Sequence, residues 1–97
     1  MNVTDFKQQI LQDTAPANLS VYLLAMWYDA KGNWHKAHEL ADSRHDTTGN
    51  WIHAYLHRKE GDVYNAGYWY RRANRELPGC SLQQEWEDIV QTLLQNK

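Results

Sequence analysis

Apolar side chains recur three and four residues apart along most of this chain, and no stretch alternates apolar and polar positions for long enough to suggest a strand. That periodicity predicts an all-α fold. A short first helix is expected over about Thr4 to Gln12, with Val3, Phe6 and Ile10 on one side. A second is expected from near Pro16 to Ala30, where Leu19, Tyr22, Leu23, Met26 and Trp27 form one stripe and Val21, Leu24, Ala25 and Tyr28 widen it. A helix apolar this far round its axis packs on more than one side.

Breaks in the pattern place the remaining helices. Gly32-Asn33 and Gly61-Asp62 each end one helix and start the next, because Gly accepts the left-handed conformation past a helix end and Asn and Asp are good N-caps. The third helix is then expected over Trp34 to about His45, the fourth over about Gly49 to Glu60, and the fifth from Val63 to about Glu76, stopped by Pro78-Gly79. Asp46-Thr47-Thr48 reads as a turn. Ser81-Leu82-Gln83-Gln84 has the form of a capping box opening a last helix to Gln95, with Leu82, Trp86, Ile89, Val90 and Leu93 on its buried stripe.

The two Gly-polar breaks lie 29 residues apart, and aligning the chain on them sets Ala25 on Ala54, Asn33 on Asp62 and Ala37 on Ala66. Small residues thus recur where paired helices approach closely. Gly61-Asp62-Val63-Tyr64-Asn65-Ala66, followed by Tyr70, Ala73 and Pro78, resembles the second half of a tetratricopeptide repeat. The resemblance implies two helical hairpins as repeat-like units, about residues 18–46 and 47–78, within one domain spanning 1–97. An N-terminal helix and a capping helix over 81–95 would flank them. The longer string Trp34, Ala37, His38, then Trp51, His53, Ala54, Leu56, His57, Arg58, Glu60, Gly61, Asp62, Asn65, Ala66, Tyr68, Trp69 and Tyr70 also resembles a family of small microbial proteins. That second resemblance implies a fold and no assigned activity.

At 97 residues the chain forms one core, so any site shares residues with it. A net charge of −2 supplies no global field for nucleic acid or an anionic membrane. Cys80 is the only cysteine, no basic-then-apolar leader opens the chain, and there is no run of about 18 apolar residues. A cytoplasmic protein without a membrane partner is expected. The apolar content is aromatic in kind, with five Trp and six Tyr against a mean hydropathy of −0.81. Such rings need a partner for OH or NH when enclosed, so the core tolerates polar neighbours.

In a tetratricopeptide-like arrangement the first helix of each unit lines a concave surface. Carried over by position, this selects Tyr22, Met26 and Asp29 from one unit and Trp51, Tyr55, Arg58 and Lys59 from the other. Of these, Tyr22, Met26, Trp51, Tyr55, Arg58 and Lys59 are the candidate binding residues for a protein or peptide, a second copy of the chain included, because aromatic and Arg side chains bury area and pair with carboxylates. The competing expectation is that the last helix fills the groove with Trp86, Ile89 and Leu93.

His53 and His57 are four apart, and His35 and His38 are three apart. Both spacings permit joint metal ligation, with Glu39 or Glu60 to complete a set, but the chain has no His-Glu-x-x-His and no cysteine pair. Buried imidazoles bonded to Tyr, Asn or backbone outweigh a centre built on His38, His53 and His57, and no metal or cofactor is expected. Arg58 with a nearby His could instead serve a small enzyme or ligand pocket, although nucleophile motifs and phosphate loops are lacking. Arg71, Arg72 and Arg75, interleaved with Tyr68 and Trp69, read as a solvated helix end, with nucleic acid the disfavoured alternative. A protein-interaction module is the function these features suggest first.

Overall fold

The computed structural model describes residues 1–95 as six helices: α1 (Val3–Ile10), α2 (Val21–Ala30), α3 (Trp34–Asp42), α4 (Thr47–Lys59), α5 (Val63–Arg72) and α6 (Leu82–Gln95). The all-α expectation holds. None of the described helices is long and apolar enough to cross a membrane.

Caps explain the helix ends. After α2 the N–H of Asn33 reaches the carbonyl of Tyr28 at 2.9 Å and the N–H of Gly32 reaches that of Asp29 at 3.0 Å, with Gly32 at φ +84. After α4 the same pair recurs as Asp62 to His57 and Gly61 to Arg58, with Gly61 at φ +94. These are Schellman ends, in which a left-handed residue lets the chain turn back onto the last carbonyls. Asn33 and Asp62 then cap α3 and α5 as expected, accepting from the N–H groups of Lys36 and Asn65.

Several predicted bounds shift, each for a local reason. α2 starts at Val21 rather than near Pro16, because Asn18 sits at φ +69 outside helical space and Ser20 Oγ takes the N–H of Leu23. The third helix stops at Asp42 instead of continuing to His45, where the C-cap residue Ser43 turns its hydroxyl onto the carbonyl of Leu40 at 2.6 Å. Asp46-Thr47-Thr48 is not a free turn: Asp46 caps α4 through the N–H of Gly49 at 2.8 Å, and the threonines form its first turn. α5 ends at Arg72 rather than Glu76, since Asn74 at φ +59 builds a third Schellman end, with the N–H of Arg75 on the carbonyl of Tyr70 at 2.8 Å. Only half of the Ser81 capping box forms: Ser81 Oγ accepts from the N–H of Gln84 at 3.0 Å, while the Gln84 amide turns onto Asp88.

α2 packs on α3, α3 on α4 and α4 on α5, while α6 lies against α1, α2 and α4. Ala25, Ala37, Ala54 and Ala66 are all fully buried, as their matched positions suggested. Phe6, Met26, Ile52, Leu56, Ile89 and Val90 complete the sealed centre, the large side chains each stabilising the fold by about 1.5–3 kcal/mol. The tryptophans enclose their polar edges as predicted: the indole N–H groups of Trp27, Trp34 and Trp86 donate to the carbonyls of Gln9, Leu56 and Met26.

Candidate functional site

The predicted concave residues are where the last helix lands. Met26 is fully buried, Tyr55 is 2% exposed and Trp51 is 7% exposed. Two carboxylates sealed inside explain how polar side chains came to be enclosed there. Glu85 of α6, itself 2% exposed, accepts from Arg58 Nη1 at 2.8 Å, from Tyr70 Oη at 2.6 and 2.8 Å on its two oxygens, and from Trp51 Nε1 at 3.2 Å. Arg58 also donates to the carbonyl of Cys80. Thus Arg58 pairs with α6 and not with the nearby acids Glu60 and Asp62. Asp29 of α2 accepts from Tyr55 Oη and Lys59 Nζ, both at 2.9 Å, which ties α2 to α4. Tyr22, half-buried at the far end of the same face, donates to the Asp46 carboxylate.

The expected groove is therefore largely occupied by the protein itself, with Trp86, Ile89, Val90 and Glu85 of α6 in it, and a cavity lined by Asp29, Tyr55, Lys59 and Trp86 remains beside them. Burial first, and then the adjoining carboxylates, push the Tyr55 and Tyr70 hydroxyls up, so both stay protonated as donors. Each carboxylate is held by several donors, a structural arrangement rather than one with a free base. Glu85 was missed in the sequence, yet its position offered a signal. It lies three residues after Leu82 and four before Ile89, on the apolar stripe itself.

α5 presents an open face. Tyr64 is 88% exposed and Tyr68 44%, with Val63 also exposed, on a helix whose main packing partner is α4. Arg71, Arg72 and Arg75 follow on the same helix and just beyond it, all exposed. Arg72 lies over the rings of Tyr68 and Trp69 at 5.6 and 5.5 Å, and Arg75 lies over Trp51 at 3.4 Å. No carboxylate pairs with these three arginines among the described residues; the ion pairs use Lys7, Lys36, Arg58 and Lys59, with His53 and His57 facing acids elsewhere.

The histidines come together at the α3–α4 contact. His38 of α3 meets His53 and His57 of α4, with ring centroids 4.6 and 5.2 Å away, while His53 and His57 stack at 4.9 Å. Trp34 stacks on His38 at 4.9 Å, and Trp69 stacks on His53 at 3.9 Å. The inward placement expected of His53 is correct, since it is 4% exposed, but aromatic rings surround it rather than Tyr or Asn partners. Burial, then the neighbouring imidazoles, lower the His38 pKa and push His53 down to about 4. His35 and Glu39, considered with them in the sequence, stay exposed on the outer side of α3.

No family model, curated protein or solved structure matches this chain.

Proposed function

We propose that the protein is a binding module that contacts an acidic segment of a partner protein through the outer face of α5. The observation that carries this is the exposure of Tyr64 and Tyr68 on a helix held mainly by α4, with the exposed Arg71 and Arg72 following on that helix and Arg72 lying over Tyr68. Tyr and Arg are the residues that most often anchor interfaces, and Arg71 and Arg72, which form no ion pair among the described residues, favour a carboxylate-bearing surface over an apolar or basic one. The largely occupied groove and the saturated Glu85 and Asp29 favour binding over catalysis. We also read α2–α3 and α4–α5 as tetratricopeptide-like units, supported by the full burial of Ala25, Ala37, Ala54 and Ala66.

A photo-crosslinking side chain placed at Tyr64, compared with one at Gln91 on α6, tests this in the cell of origin. A discrete adduct at Tyr64 alone is expected, with its attachment point in an acidic protein segment. Arg71→Glu with Arg72→Glu should abolish it while leaving helicity unchanged. An adduct the size of two copies would identify the partner as the chain itself. Adducts to nucleic acid, or equal labelling from both positions, would refute the proposal.

A further inference from the structure

The three clustered histidines call for a reason beyond packing. Each neutral imidazole carries one N–H and one lone pair. Among the described residues, the one hydrogen bond to any of these ring nitrogens is that of His57 Nδ1 with Glu60 Oε2 at 2.7 Å. Aromatic stacking on Trp34 and Trp69 accounts for the ring faces and leaves the in-plane nitrogens of His38 and His53 without a hydrogen-bond partner among the described residues.

From this geometry we propose that His38, His53 and His57 form a three-nitrogen site for a first-row divalent transition ion of the zinc class. One ring nitrogen from each residue lies within 4.8 Å of the other two. Nitrogens 2.0–2.1 Å from a tetrahedral ion are separated by about 3.4 Å, so small rotations about the side-chain bonds close the set. His53 and His57, one turn apart on α4, project from one face, and α3 brings His38 opposite them.

The surroundings have the form that such sites take. A ligating imidazole commonly gives its other nitrogen to a carboxylate, which fixes the tautomer and raises its basicity. Glu60 does this for His57, holding Nδ1 and leaving Nε2 as the lone-pair nitrogen. Asp42 Oδ1 stands 3.8 Å from His53 Nδ1, within reach of the same role. The two acids also offset the charge of a divalent ion. All-imidazole ligation selects zinc, copper, nickel or cobalt over magnesium and calcium, which require oxygen. With three protein ligands, a fourth position is left for water. The site does not rest on the α5 reading, although Trp69 of α5 stacks on His53, so either proposal can fail without the other.

Full-length protein prepared without a histidine tag, stripped with chelator and titrated with Co2+ and then Zn2+, tests the site. One equivalent of Co2+ should bind with the d–d absorption of a tetrahedral ion, be displaced by Zn2+, and quench tryptophan emission through Trp34 and Trp69. Glu60→Gln, at a position exposed enough to leave the fold intact, should weaken binding about 10–100-fold. His38→Ala should weaken it further. His35→Ala and His45→Ala, which remove exposed histidines outside the cluster, should leave it unchanged. Failure of the folded wild-type chain to bind a stoichiometric ion would overturn the proposal. So would equal affinity in wild type and Glu60→Gln, or loss of binding on replacing His35.

Discussion

Replacing Glu85 with Ala should strongly destabilise the protein. The change removes a carboxylate that is 2% exposed and strands Arg58, the Tyr70 hydroxyl and the Trp51 N–H. Breaking a buried ion pair from one side costs about 3–5 kcal/mol, and each orphaned neutral donor costs about 1–3 kcal/mol more in isolation. These losses overlap, because Arg58 keeps the Cys80 carbonyl and its side chain is 18% exposed and can recruit water. A net loss of about 3–5 kcal/mol is therefore expected, a large share of the roughly 5–15 kcal/mol by which a domain is stable. Urea denaturation followed by tryptophan fluorescence measures it, and the melting temperature should fall by about 12–40 °C. Glu85→Leu combined with Arg58→Met removes both charges together and should recover most of the loss. A Glu85→Ala penalty below about 1 kcal/mol would refute the view that this network holds α6 in place.

In the metal-free protein, His53 has its pKa pushed down to about 4 in the fold, against about 6.5 when unfolded, so the unfolded chain takes up the proton first as pH falls. Stability from this residue is intact above pH 6.5, is lost progressively from there to about 4, and the loss reaches up to about 3 kcal/mol; denaturation at pH 7.5 and 4.5 should show a smaller drop in His53→Phe than in wild type. Gly49→Ala should destabilise by about 1–3 kcal/mol in thermal melts, because the new methyl would collide with the Arg44 carbonyl and lie 2.8 Å from Arg44 Cβ. Asn74→Ala should cost about 1 kcal/mol and Asn74→Gly much less, since the α5 end needs a left-handed residue at φ +59.

Much of the fold could be read along the chain because its signals are local. Gly32 and Gly61 sit at positive φ and Asn33 and Asp62 at the caps, as their residue types require. Asn74 carries the same left-handed turn without the glycine, so the end of α5 was read too late. The site was less legible. Side-chain spacing placed Trp51, Tyr55 and Arg58 on one face of α4, but which helix covers that face depends on the long-range return of α6, and the decisive residue, Glu85, is a charge on an apolar stripe. The His38 approach to His53 and His57 likewise depends on α3 packing against α4. Spacing within one helix showed only two of the three rings.

α6 is part of the core and occupies most of the groove over α2 and α4. Native-state amide hydrogen exchange of α6 against α4 tests it most directly. Amides of Trp86, Ile89 and Val90 should exchange with the same opening free energy as those of Ile52 and Leu56, through one cooperative unfolding. If the α6 amides instead open on their own, about 100-fold or more often than those of α4, the helix is a displaceable plug and the groove is a site after all.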